Sequence, residues 1–218
     1  MKINNDTAIQ AARFLLQIKA IKLNNENPFT WASGRKSPIY CDNRITLSYP
    51  EIRTFLRQQI VSIINEHFAE ADVIAGVATG GIALGVLVAQ DIGKPFIYVR
   101  PEEKKHGLTN TIEGIVKEGQ SVLVIEDLIS TGKSSLLAVD ALRDAGCIVK
   151  GMIAIFTYGL EISEKAFEDK EVPLYTITDY DTLIETAKEE TYIKEDEINS
   201  LSKWRMNPEK WSQERLNQ

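Results

Sequence analysis

Apolar positions in this chain recur with two different periods, and the change from one to the other marks its organisation. Thr7 and Gln10 have capping-box spacing ahead of the run AARFLLQIKAI, which predicts a first helix. Residues 24–48, NNENPFTWASGRKSPIYCDNRITLS, break the periodicity with turn formers and aromatics. Ser48, Pro50 and Glu51 then supply an N-cap, a first-turn proline and a capping-box partner for a second helix ending near His67. Short apolar runs and amphipathic runs alternate from there. Strands are predicted at DVIAGVA (72–78), PFIYV (95–99), SVLVIED (121–127), CIVKGMIAIF (147–156) and LYTIT (174–178). Helices are predicted at 81–92, at 132–145, closed by Gly146, and at 160–169, with a charged, glycine-containing loop over 100–118. The polar tail 195–218 is expected to be helical, with Trp204 and Trp211 packing back on the body. Strands alternating with helices imply right-handed crossovers and a mostly parallel sheet. No internal repeat or low-complexity linker divides the 218 residues, so one α/β domain is expected.

Composition narrows the function classes. Hydrophobic residues at 44% and charged residues at 26% suit a soluble enzyme, and a net charge of −6 argues against broad nucleic-acid binding. Two cysteines, Cys41 and Cys147, and two histidines, His67 and His106, are too few for a disulfide framework or a zinc cluster and fit a reducing, cytoplasmic setting. MKINNDTAIQ lacks the apolar core of a signal peptide, and runs such as IALGVLVA are too short to span a bilayer, so no membrane partner is expected.

The candidate chemistry lies in VLVIEDLISTGKSS, residues 122–135. Gly132-Lys133-Ser134 has the ending of a Walker loop, but Asp127 stands where that loop needs its first glycine, and a carboxylate there would repel a triphosphate. The stretch makes sense as two halves. An apolar strand ends in paired carboxylates, Glu126 and Asp127, which accept hydrogen bonds from vicinal hydroxyls. A hydroxyl-rich turn then enters a helix whose amides and side chains donate to phosphate. Such a stretch can hold a ribose and its 5′-phosphate together. The plainer alternative is an ordinary βα turn with exposed acids, and two acids plus four hydroxyl residues around one glycine disfavour it.

This pattern resembles the phosphoribosyl-diphosphate motif of type I phosphoribosyltransferases. FTWASGRKSPIYCDNR (29–44), IAGVATGGIALG (74–85) and YVRPEEKKHG (98–107) are similar to the hood segment, diphosphate-facing loop and mobile catalytic loop of orotate phosphoribosyltransferases. FTYGL and TDYDTL resemble their Gram-positive bacterial branch. The resemblance spans nearly the whole chain. It implies a type I phosphoribosyltransferase fold: a mostly parallel central sheet flanked by helices, with a small N-terminal hood from 24–48, a core over 70–180 and the tail at 195–218. It implies transfer of ribose 5-phosphate from 5-phosphoribosyl 1-diphosphate to orotate in pyrimidine biosynthesis, with Mg²⁺ carried by substrate oxygens and no direct protein ligand. Glu126, Asp127, Leu128, Ile129, Ser130, Thr131, Gly132, Lys133 and Ser134 would hold the donor, and Ser130 and Tyr40 would meet orotate. Arg35 and Lys36 would present charge to anionic substrates. Arg100, Lys104 and His106 would carry the leaving pyrophosphate, from a loop (100–107) shared across a homodimer. Pro101 stands where some members have a second loop cation, with Lys105 a candidate substitute; Gly80 and Ala32 stand where some have lysine. No arginine in IFTYGL matches the one that some members direct at orotate. A purine or uracil phosphoribosyltransferase, and a non-catalytic regulator that senses the same donor and binds nucleic acid, are the rival readings.

Overall fold

Strands buried on both faces organise the chain, and alternate residues in them serve two separate cores. The computed structural model describes residues 4–31, 33–100 and 111–216. In chain order come α1 (Asn5–Gln17), β1 (Ile21–Leu23), β2 (Phe29–Thr30), β3 (Lys36–Ser37), β4 (Ile39–Cys41), a 3-10 helix (Asn43–Ser48) and α2 (Pro50–His67). Then follow β5 (Val73–Val77), α3 (Gly80–Ile92), β6 (Phe96–Val99), β7 (Ile112–Glu113), β8 (Ser121–Ile129), α4 (Lys133–Asp144), β9 (Ile148–Thr157) and α5 (Glu161–Asp169). The chain closes with β10 (Leu174–Asp179), α6 (Tyr180–Glu189), α7 (Glu195–Met206) and α8 (Pro208–Leu216).

The main sheet has the order β10-β9-β8-β5-β6-β7, parallel except for the β6–β7 pair. Ile74, Leu123, Ile125, Ile153, Ile155 and Ile177 join one core with α1, α2, α3 and α6. Their neighbours Val73, Ala75, Val122, Val124, Met152 and Ala154 join the other with α4 and α5. Helices on both faces explain why these strands read as continuous apolar runs.

The order in which strands are added reverses between the parallel neighbours β5 and β8, and that reversal makes room for a site. β5 leads into α3 on one face, whereas β8 leads into α4 on the other. Pairing of β8 with β5 stops at Ile125 opposite Gly76, but pairing with β9 continues to Ile129 opposite Thr157. Beyond Ile125 the β5-facing edge of β8 is therefore open, at the topological switch point where α/β sheets bind ligands.

The hood is two small antiparallel pairs, β1 with β4 and β2 with β3. It is clasped to the body by aromatic rings. Trp31 stacks on Tyr158 with centroids 5.7 Å apart, and Trp204 of α7 meets Tyr158 edge-on at 5.4 Å. Trp204 and Trp211 are buried, as the tail pattern predicts. The Ser212 hydroxyl accepts the Lys36 amide at 2.8 Å, which ties α8 to β3.

Several boundaries differ from the sequence expectation. The first helix starts before Thr7, because the Asn4 side chain accepts the Asp6 amide and caps it earlier. It also stops at Gln17: Lys19 turns left-handed, and Ile21, read as helical, pairs with Cys41 in the hood. Ser48 is not the N-cap of the second helix; it ends the 3-10 helix, and Tyr49 takes the cap position without a side-chain bond, leaving Pro50 to set the first turn. The loop over 100–118 contains the short edge strand β7, and the tail is two helices broken at Asn207, with Pro208 opening the second.

Candidate active site

Because β8 runs on to Ile129, Glu126 and Asp127 are strand residues and project to opposite faces of the sheet. Glu126 turns toward α4, where its Oε2 accepts the Ser135 hydroxyl at 2.9 Å; its Oε1 accepts the Asp127 amide at 3.0 Å. It is 5% exposed. Burial first, and then the charge of Asp127, push its carboxyl well above the usual range.

Asp127 turns toward α3. A methyl group built on Gly80 would overlap its carboxylate, so the absence of a side chain at 80 creates the space this acid fills. The turn at Thr79 and Gly80 thus lies directly against the acid. The Asp127 carbonyl, on the open strand edge, accepts a hydrogen bond from the Asn43 side-chain Nδ2 at 2.6 Å, which fastens the hood to the strand.

Past Ile129 the chain turns through Ser130, Thr131 and Gly132. Gly132 sits at φ +77° and a Cβ there would press on Phe167 at 2.9 Å, so only glycine fits this entry to α4. The first amides of α4 have no intrahelical acceptor and are available to a ligand at this end of the helix.

A cavity of about 250 Å³ joins these pieces. Val77, Ala78, Thr79 and Gly80 form one wall, and Glu126, Asp127, Leu128, Ser130, Thr131, Gly132, Ser134 and Ser135 the other. Of the nine expected donor-binding residues, Ile129 and Lys133 are outside it: Ile129 is fully buried in the core, and Lys133 points to solvent. Ser135 and Asn43 were missed. Ser135 was visible as the last letter of the motif; Asn43 carried no signal, since its partner is a main-chain oxygen 84 residues away in sequence.

The remaining expectations scatter. Tyr40 on β4 lies outside this cavity, 5.7 Å from the Phe29 ring. Arg35 faces Glu209 of α8 at 3.7 Å, and Lys36 reaches the Thr30 hydroxyl at 2.9 Å, so both turn toward the hood's own neighbours. Arg100, just after β6, pairs with Glu113 of β7 at 3.2 Å. Ala32, Pro101, Lys104, Lys105 and His106 lie outside the described residues. No group of three or more metal-ligating side chains occurs among the described residues, and no helix among them is long and apolar enough to cross a membrane.

Glu126 makes a stability prediction. Below the ordinary carboxylate range, folded and unfolded chains both hold the proton and its burial has no ionisation cost. As pH rises above that range the unfolded chain ionises while the native chain keeps the buried proton, so stability falls until the raised folded-state pKa has been passed. Glu126→Gln should therefore gain about 0.5–2 kcal/mol at pH 8 and much less at pH 4. At about 2–4 °C of Tm per kcal/mol, paired melting curves at the two pH values will show it. An unchanged or lowered Tm at pH 8 would contradict this origin of the shift.

Comparison with known proteins converges on one group. A phosphoribosyl transferase domain model matches residues 50–188. The orotate phosphoribosyltransferase of Bacteroides fragilis is 54% identical over 200 residues, covering 92% of this chain and 94% of that protein. That of Bacillus pumilus, on the Gram-positive side, is 52% identical over 93% of this chain and 97% of that protein. The crystal structure of orotate phosphoribosyltransferase from Aeropyrum pernix is 27% identical with a TM-score of 0.73, over 84% of this chain and 99% of that one. A type I phosphoribosyltransferase architecture is thus present in sequence and in three dimensions. With more than half its residues identical to these relatives along nine-tenths of its length, the chain belongs to the orotate phosphoribosyltransferase family.

Proposed function

We infer that the chain transfers the 5-phosphoribosyl group from 5-phosphoribosyl 1-diphosphate to orotate, releasing pyrophosphate and giving orotidine 5′-monophosphate. The observation that carries this reading is the cavity at the switch point, where one open strand edge brings an acid, a hydroxyl-lined turn and the Thr79–Gly80 wall together. Asp127 would accept the ribose hydroxyls, with Glu126 behind it. Ser130, Thr131, Ser134 and the α4 amides would hold the 5′-phosphate. Several convergent donors are needed, because an exposed helix terminus contributes only about 0.3–1 kcal/mol by itself.

The anomeric C–O bond breaks with its electrons going to pyrophosphate, and the orotate ring nitrogen, its proton passing to the departing pyrophosphate or to water, bonds the opposite face of the sugar. Positive charge then builds on the ribose while negative charge builds on the leaving group. Arg100, with Lys104 and His106, would meet the latter. A loop closing over the site, contributed across a homodimer, would keep water from the cationic carbon.

Mg²⁺ suits this donor set. The side chains facing the ribose position offer hard oxygens, and the single carboxylate pair leaves most coordination positions to substrate and water, as this ion prefers. Asp127 would hold it indirectly, through the ribose hydroxyls it accepts, with Glu126 supporting that strand from behind. When bound it supplies neutralisation of the diphosphate charge.

Incubation with the donor, Mg²⁺ and a panel of bases, followed optically, tests the reading. Orotate should be consumed and turnover should stop on chelation. Consumption of uracil or a purine in its place would overturn it.

A further inference from the structure

Orotate is an anion, and a family member must counter its carboxylate. β9 ends at Thr157 and continues into Tyr158, which is buried in the aromatic clasp, so no cation reaches the site from there. Arg35 faces Glu209 of α8 at 3.7 Å and Lys36 donates to the Thr30 hydroxyl at 2.9 Å, and neither adjoins Asn43, the hood residue bonded to β8. Arg205 is committed to Asp181 and lies over the Tyr180 ring.

Arg44 is placed differently. It is the second residue of the 3-10 helix, directly after Asn43, whose side chain is bonded to the Asp127 carbonyl at 2.6 Å. The hood is thereby pinned to the ribose-facing strand one residue away from this arginine. Asp127 and Tyr40 are both near enough to act on its charge. Its guanidinium is held in a fork by Asp42, Nε to Oδ1 at 2.7 Å and Nη2 to Oδ2 at 2.9 Å. That grip occupies one edge of the plane. The Nη1 edge has no hydrogen-bond partner among the described residues, and the side chain is 57% exposed. A guanidinium has five N–H donors in a rigid plane, so one edge can be fixed by a protein carboxylate while the other takes a second carboxylate.

We propose that Arg44 is the specificity-determining residue that binds the carboxylate of orotate, with Asp42 as the positioning residue that sets its plane. This rests on the acceptor assigned above. The hood then contributes charge from a segment that Asn43 locks to the donor-site strand. A free base without the carboxylate loses this contact, which gives the chain a means of rejecting uracil.

Steady-state kinetics of Arg44→Gln and Arg44→Lys, with orotate, its uncharged carboxamide and the phosphoribosyl donor each varied, tests this. A charge-assisted hydrogen bond is lost in Arg44→Gln, so the KM for orotate should rise about tenfold to hundredfold. The KM for the donor should move less than about threefold, and the preference for orotate over the carboxamide should collapse. Arg44→Lys, which keeps the charge without the fork, should recover part of that preference. Because the side chain is exposed, both variants should melt with the parent. An unchanged orotate KM, or equal rises for orotate and donor, overturns the proposal while leaving the transferase reading intact. Failure of the parent protein to use orotate removes the acceptor itself and the proposal with it.

Discussion

Asp127→Asn will weaken binding of the phosphoribosyl donor about tenfold to hundredfold while leaving orotate binding within a few-fold. The range follows from one charge-assisted hydrogen bond, about 1.5–3 kcal/mol, being replaced by a neutral one. Asparagine keeps the shape of the side chain, and the position admits little else: Gly80 lies against one side, and its lack of a Cβ leaves space for the carboxylate and no more. The tie to the hood also survives, because Asn43 bonds the main-chain carbonyl of residue 127 rather than its side chain. The substitution therefore removes charge with minimal change of structure. Calorimetric titration of both ligands is the measurement. Equal losses for donor and orotate would remove Asp127 from the ribose and make it a general support of the site. Glu126 offers the internal contrast: it is already bonded to Ser135 and to the Asp127 amide, and its buried carboxyl is pushed toward the neutral form, so it suits a supporting part behind Asp127.

What the sequence revealed and what it hid follow from the range of the forces involved. The core strands were legible because burial on both faces demands unbroken runs such as VIAGV and VLVI, and no competing structure satisfies so many apolar residues in five positions. The motif residues Glu126, Asp127, Ser130, Thr131, Gly132 and Ser134 were legible for the same local reason: one strand, one turn and one helix start place them together. The true end of β8 was hidden. An acidic pair after an apolar run reads as a strand terminus, yet the strand continues because β9 still pairs with Leu128 and Ile129 on its other edge. Ile21 was misread for a related reason, since its helical spacing was overridden by a strand partner in the hood. Helix α6 went unread although Asp179 caps it through the Thr182 amide. For β8 and for Ile21 the deciding contact is with a residue far along the chain, and no local window contains it, whereas the cap of α6 is local.

Arg100→Ala is expected to lower kcat about 10²–10³-fold, the loss of about 2.7–4 kcal/mol typical for a preorganised donor at a site of developing negative charge. In the absence of a leaving group the guanidinium pairs with Glu113 across the β6–β7 edge, at 3.2 Å, and both side chains are partly exposed. A pair of that kind contributes about 0–1 kcal/mol, so exchanging Glu113 for pyrophosphate is easily offset by the charge that forms in the transition state. The backbone at residue 100 is held independently, by its amide donating to the Thr111 carbonyl at 2.8 Å, so alanine should leave the course of the chain unchanged. The unequal magnitudes supply the control. Glu113→Gln removes the weak interaction and should change kcat by less than about fivefold. If Glu113→Gln were as damaging as Arg100→Ala, the arginine would be holding β7 in place and the leaving-group charge would have to be met by other residues. If only Arg100→Ala is damaging, and pyrophosphate inhibits it less strongly than the parent, the arginine meets the leaving group and Glu113 is the partner it gives up.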